Sequence, residues 1–297
     1  MAPWSIVANR RDFVRVSASG IAAITGFPVL AGAQLYDGPA LTLSVLSPAS
    51  GQETPVAKGI SLGISEARHA AGLFKQRVEV SAIRSGSVAD SIEAAQRSGS
   101  HALLCTDPGQ TRALSEACNR AGLIFMNVLS ADDVLRRDRC NRFTFHVAAS
   151  DAMKSSAATQ ARGPAGATVE MWHPELERFG AAQLNDRFRA TAGGSMTSPA
   201  WAGWMAVKII WEAFLRSPLK TPAALSSFLA ADSTAFDGHK GVPLSFRRWD
   251  HQLRQPLYLV APDKKLTEVP VPATRDMSMR DLLDTMGDTD SGAVCEA

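Results

Sequence analysis

Leu41-Thr42-Leu43-Ser44-Val45-Leu46 runs into Ser47-Pro48-Ala49-Ser50-Gly51 and then into Thr54-Pro55-Val56, and this stretch decides how the chain reads. Six residues of strand composition end in a turn rich in hydroxyls. A helix is predicted to start at Thr54, a good N-cap, with Pro55 at the first helical position, where its missing N–H costs nothing. Val56, Ile60, Ile64, Ala67 and Ala71 then recur at helical spacing. Strand, loop and capped helix make one βα unit.

Going outward, the unit repeats. Val78–Ile83 is the next predicted strand, and Val88, Ile92 and Ala95 mark a helix ended by Gly99. Ala102–Cys105 is a third strand, after which Asp107-Pro108 repeats the cap-plus-proline signal before a helix through Ala113, Leu114 and Ala117. Ile124–Val128 and Phe143–Val147 complete five strands. Strands alternating with helices of this length predict an α/β fold with a parallel sheet built from right-handed units. The loops leaving the strands then share one edge, where ligands bind. They are Ser47–Gly51, Ser85–Ser87, Thr106–Asp107 and Leu129–Ser130. Ser47, Ser50, Gly51, Thr106 and Asp107 are the candidate ligand contacts. Several precede helix N-termini, whose free N–H groups favour a small anionic or zwitterionic molecule. Helix capping alone is the competing role for each hydroxyl.

Enzymatic chemistry has no foothold. The segment after the first strand lacks both G-x-G-x-x-G and a P-loop lysine, and Ser50 before Gly51 does not sit in a G-x-S-x-G elbow, so no catalytic residue is assigned. His173 with Glu175 and Glu177 lacks a further ligand at matching spacing, and no metal or cofactor is expected. Beyond residue 33 the chain carries 28 basic and 28 acidic residues. That balance gives no reason to expect nucleic acid or an anionic membrane as partner. The four cysteines follow no C-x-x-C spacing. Outside the cytoplasm one disulfide is permitted, with Cys118–Cys140 the expected pair and unpaired thiols the alternative.

Residues 1–33 read as an address. Arg10, Arg11 and Phe13, followed by Val14 and Arg15, resemble the bacterial twin-arginine export motif. A mildly apolar run, Val16–Leu30, and the small residues Ala31 and Ala33 follow at signal-peptidase spacing. A basic arm on a cytosolic protein is the alternative. The run falls short of the roughly 20 apolar residues of a spanning helix, so the expected location is the periplasm, with a mature chain from near Gln34.

Gly59-Ile60-Ser61-Leu62-Gly63-Ile64-Ser65-Glu66-Ala67-Arg68 resembles the first helix of type I periplasmic binding proteins. Three further stretches are similar to one subfamily: Trp172–Phe188, Phe236–Gly241, and Leu244–Pro256 with its Trp249-Asp250-His251-Gln252-Leu253-Arg254-Gln255-Pro256 string. The tail, Leu283–Asp288 through Cys295, fits it as well. That subfamily comprises substrate-binding proteins of ABC transporters associated with pyrroloquinoline quinone (PQQ)-dependent alcohol oxidation. The resemblance implies a monomer that works with a transporter permease and binds a small carboxylate-bearing solute such as PQQ, as ligand rather than cofactor. Family members have two lobes. A βαβ unit takes about 30 residues or more, so residues 151–171 are too few for the second. The expected organisation is a lobe over 34–150, a linker over 151–171 where most of the second lobe is missing, returning helices and a hairpin over 172–261, and a tail over 262–297. A shortened scaffold or sensor lobe that no longer binds, or a degenerate relative, is the alternative function; branched-chain amino-acid binding is a further one.

Against that background Trp172 and Trp249 are candidate planes for a flat quinone, and Lys240 and Arg254 candidate partners for its carboxylates, with Arg247 and Arg248 beside them. Trp201, Trp204 and Trp211 share one helix face, which we read as core rather than as a stacking platform. Leu244–Phe246 and Leu257–Val260 are predicted to pair as antiparallel strands around Asp250–Leu253. The tail should hold one short helix near Ser278–Met286.

Overall fold

The computed structural model describes residues 38–48, 50–51, 53–84, 86–270, 277–290 and 295. The export motif and the cleavage residues, Arg10 through Ala33, lie outside the described residues. The repeating units form as predicted: β1 (Ala40–Ser47), α1 (Pro55–Leu73), β2 (Arg77–Arg84), α2 (Val88–Arg97), β3 (Ala102–Cys105), α3 (Thr111–Ala121), β4 (Ile124–Asn127) and β5 (Thr144–His146). All five strands are parallel, in the order β2-β1-β3-β4-β5.

Alternation along the strands builds two cores. Leu41, Leu43, Leu104 and Met126 face one layer, whereas Leu103, Cys105 and Phe125 face Leu114 and Cys118 of α3 and Ala95 of α2 on the other. Cys118 is therefore sealed under the sheet and cannot reach Cys140. The disulfide instead joins Cys140 to Cys295, and Cys105 and Cys118 are free buried thiols. Burial pushes the Cys105 thiol up to about 11 and that of Cys118 higher still.

After β5 the chain forms α4 (Asp151–Ala161) and β6 (Thr168–Glu170) within the segment expected as a linker, then α5 (Ala181–Ala192), α6 (Ser198–Arg216) and α7 (Pro222–Ala230). The last part holds β7 (Phe236–Asp237), β8 (Pro243–Phe246), β9 (Leu253–Arg254), β10 (Leu257–Val260), β11 (Leu266–Val269) and α8 (Met279–Leu283). The predicted pairing of β8 with the Leu257–Val260 strand does not form. Arg247 N–H donates to the Gln252 carbonyl at 3.0 Å, and Gln252 N–H to Asp250 Oδ1 at 2.9 Å, closing a tight turn. The return strand β9 thus starts at once and ends before Pro256, which has no N–H for the ladder. β10 joins another sheet, between β6 and β11.

The tail is anchored. Arg247 donates to the carbonyls of Leu283 (2.9 Å) and Met286 (2.5 Å), and both Arg247 and Arg254 donate to Asp284 Oδ1 (3.0 and 2.8 Å). Arg137 grips Asp288 with two bonds of 2.8 and 2.6 Å. Among the described residues, no helix is long and apolar enough to cross a membrane.

α6 lies alongside α1 and runs in the same direction, at a separation only glycine allows. A Cβ on Gly59 would stand 1.8 Å from the Ala200 carbonyl oxygen, and one on Gly203 2.5 Å from that of Val56. Farther along, a Cβ on Gly63 would meet the Val207 side chain at 2.9 Å. The face of α6 opposite these contacts is buried too, so Trp201, Trp204 and Trp211 are core residues.

The α1–α6 contact gives one prediction and a buried histidine a second. Gly59→Ala should lower unfolding free energy by about 1–3 kcal/mol through overpacking. Gly72→Ala in the same helix, where a Cβ meets nothing within 4 Å, should raise it by up to about 1 kcal/mol through helix propensity; denaturant titration of both variants checks the opposite signs. The second concerns His251, buried against Phe145 with its Nδ1–H donated to the Thr144 carbonyl at 3.0 Å. Burial depresses its pKa to about 4. The unfolded chain takes up this proton near pH 6.5, so stability is full above that pH and is lost as pH falls towards 4. The loss should reach about 3 kcal/mol. His251→Asn, which tolerates the φ of 48° there, should reduce the slope of stability against pH between 7 and 4.5, the remainder coming from the buried His146, whose pKa burial also holds well below the usual histidine range.

Candidate functional site

The strand order reverses direction at β1, so the loops leaving β1 and β3 diverge and open a crevice at the carboxyl edge. Ser47 ends β1 there, half-buried, and among the described residues its hydroxyl makes no hydrogen bond. Gly51 N–H donates to the Pro48 carbonyl at 3.1 Å, and Gly51 takes a φ of 65° to close the turn. Ser50 and Gly51 are exposed at its tip. On the other wall Thr106 is buried and donates its hydroxyl to the Leu46 carbonyl at 3.2 Å. Asp107 caps the turn at Pro108–Gln110, accepting from Gly109 N–H at 3.0 Å. The crevice thus gathers five of the sequence-predicted contacts. In two of them, Thr106 and Asp107, the polar atoms are already used to build its wall.

The other edge hydroxyls act chiefly as caps. Thr54, Ser87 and Ser150 accept from the N–H groups of Ala57, Asp90 and Met153. Their helices nonetheless begin at this edge, each with positive dipole end and unpaired N–H groups. The close packing of α6 on α1 brings a further N-terminus to the same end. There Ser198 Oγ accepts from Met171 N–H (2.9 Å) and Trp172 N–H (3.1 Å) and donates to Glu170 Oε2 at 2.6 Å. A cavity of about 600 Å³ opens beside it, lined by Glu170, Trp172, His173, Thr197, Ser198 and Val260.

Trp172 borders that cavity but is no free platform. It is 1% exposed, its indole N–H donates to Asn185 Oδ1 at 2.8 Å, and its ring stacks on Trp201. Lys240 and Arg254 do not face solute. Lys240 is buried, with Nζ donating to Gln255 Oε1 (2.8 Å) and the Pro256 carbonyl (2.9 Å) above the Trp201 ring. Burial holds its pKa well below the usual lysine range. Arg254 is buried on Asp284 and the Phe246 carbonyl, and its ring neighbour Trp249 donates to the Asp288 carbonyl at 3.3 Å. Both belong to the tail anchor. Internal carbonyls and carboxylates have taken the partners that a ligand would have supplied.

Arg136 was not foreseen. Its place in the run Arg136-Arg137-Asp138-Arg139 reads as solvated charge, yet it is buried behind the ends of β4 and β5. It donates to the carbonyls of Asp132 (2.9 Å) and Ala148 (2.7 Å) and to Gln252 Oε1 (2.6 Å), while Gln252 returns a bond to the His146 carbonyl. Burial lowers its pKa to about 10, with Asp250 foremost among the carboxylates opposing the shift, so it stays charged at neutral pH. Asn127 completes the floor: its amide bonds the Ser130 carbonyl and His146 Nδ1, and its oxygen receives the Leu129 and Ser130 N–H groups. The only signal in the sequence was the Gln252 string that pairs with it. Among the described residues no cluster of three His, Cys, Asp or Glu could hold a metal.

No protein-family model and no curated protein matches the sequence. Solved structures do match the fold. An ABC transporter substrate-binding protein from Desulfitobacterium hafniense aligns at 15% identity over 77% of this chain and 100% of its own, with a TM-score of 0.61. The branched-chain amino acid transporter substrate-binding protein LivJ from Streptococcus pneumoniae, in complex with isoleucine, aligns at 14% over 78% and 99%, with a TM-score of 0.63. A branched-chain amino acid ABC transporter periplasmic ligand-binding protein from Burkholderia xenovorans aligns at 12% over 77% and 94%, with a TM-score of 0.64. The five-stranded parallel sheet and its flanking helices are those of the type I periplasmic-binding-protein fold.

Proposed function

We propose that this chain is the solute-binding component of an ABC importer, exported to the periplasm, delivering to a permease and performing no reaction of its own. The observation that carries the reading is the β1/β3 crevice. It collects an unbonded serine hydroxyl, an exposed glycine turn and several helix N-termini at the edge where parallel sheets bind ligands. Free N–H groups and positive dipole ends select a carboxylate-bearing solute. PQQ, with three carboxylates, is our first candidate and would link the protein to PQQ-dependent alcohol oxidation. Isoleucine is the second, because the pneumococcal structure of the same fold holds it.

The second reading is a shortened lobe. Among the described residues there is one parallel sheet, and α4 with β6 occupies the position in sequence of a second lobe, β6 joining β10 and β11 in a small sheet. We infer that α4 and β6 are what remains of it. A partner surface that closes over a ligand by hinge motion would then be reduced, which leaves a scaffold or sensor role.

Titration of the purified mature protein, followed by tryptophan fluorescence, separates these readings because Trp172 lies at the cavity beside Ser198. We expect saturable quenching by PQQ at micromolar concentration, and none by a neutral sugar. Saturation with isoleucine alone would move the assignment to amino acids. Absence of a saturable change with either would favour the non-binding lobe.

A further inference from the structure

A second cavity, of about 310 Å³, lies between the segment Glu175–Ala181 and one face of the sheet β11-β10-β6. Strand register places Glu170, Tyr258 and Glu268 in one cross-strand row, hence on that face. Tyr258 is 4% exposed and lines the cavity, yet its hydroxyl makes no hydrogen bond among the described residues. The hydroxyl therefore faces the cavity without a partner in the fold and is poised for one from outside it.

The opposite wall is strained and held. Phe179 takes a φ of 57° and stays 59% exposed, while His239 has a φ of 57° as well. Histidine adopts that backbone more readily than most residues, but for the bulky Phe179 it is a genuine outlier, of a kind that gathers at functional sites. His239 Nδ1–H donates to the Phe179 carbonyl at 3.0 Å, and its ring stacks on Trp204. Glycines permit the approach: a Cβ on Gly180 would meet His239 Nδ1 at 2.7 Å, and one on Gly241 the Phe179 ring at 2.4 Å. The result is an aromatic edge fixed over the cavity mouth.

Charge in the cavity is unbalanced. Glu175, Glu177 and Glu268 line it against Arg178, and none of the four forms an ion pair among the described residues. Desolvation raises the Glu268 pKa, with Lys240 and Arg178 pulling it the other way. Three carboxylates against one lining guanidinium, a waiting hydroxyl oxygen and two aromatic faces form a recognisable set. They match an ammonium group by charge, hydrogen bonding and cation–π attraction.

We propose that this cavity is a binding site for a small organic cation, a primary ammonium with an apolar tail. Glu268 and Glu177 supply the charge, the Tyr258 hydroxyl accepts one N–H, and Phe179 covers the tail. The proposal does not rest on the crevice at the carboxyl edge, since neither Ser47 nor Ser198 takes part.

Isothermal titration of the full mature chain with 2-phenylethylammonium tests it, with 3-phenylpropionate as an anion of similar size. The cation should bind saturably and the anion should not. Glu268→Gln should weaken the cation at least tenfold and Tyr258→Phe by about threefold to tenfold, the effect of removing a charged partner and a neutral one. Glu268 is exposed and Tyr258→Phe keeps the ring, so both variants should melt as the parent does. If Glu268→Gln alters the melt, Glu177→Gln replaces it. Equal binding of cation and anion, no binding of the cation, or cation affinity unchanged in the variants would overturn the proposal.

Discussion

The contact on which the structure depends is the close approach of α1 and α6 across Gly59, Gly63 and Gly203. It joins chain segments some 140 residues apart by bringing backbone against backbone, where any side chain would hold them off. Dispersion at that distance is gained along two 19-residue helices. Because the helices run the same way, the N-terminus of α6 arrives beside that of α1. The cavity at Ser198 and the crevice at Ser47 therefore share an end of the molecule.

A second constraint is electrostatic. Arg136 ties the loops after β4 and β5 to Gln252, and Arg247 and Arg254 share Asp284 at the start of the tail anchor. Buried charges persist only when paired and hydrogen-bonded. Removing Asp284 would leave Arg254 without a paired carboxylate and Arg247 with Asp250 alone, so the returning segment and the tail are held as one unit with the parallel sheet. The same economy explains why Lys240 and Arg254 are lost to solute. A cation in the returning segment either finds an internal acceptor or cannot be buried at all.

Much of this was legible in the residues. Thr54-Pro55 and Asp107-Pro108 are local signals, set by caps and by proline's missing N–H, and the helices start where those signals lie. Five strands followed from apolar runs of the right length. Long-range pairing was not legible, since β8 and β10 look alike as short apolar runs. Only the turn at Arg247–Gln252, with His251 in the left-handed region, shows that β8 is satisfied by β9. The cysteine pairing failed for the same reason: spacing cannot report that Cys118 points beneath the sheet. Within the candidate site the loops of β1 and β3 were readable from the edge rule. Trp172, Lys240, Trp249 and Arg254 were chosen for their chemistry, and that chemistry is spent inside the protein.

Solute binding at the carboxyl edge is what makes this chain a binding protein. Hydrogen–deuterium exchange of the mature chain, with and without saturating PQQ or isoleucine, reads it most directly. Slowed exchange is expected at Gly51, at Gly109 and Gln110, and at the first amides of α1 and α6, all at the carboxyl edge. Protection elsewhere with those amides unchanged, whichever solute binds, would contradict it.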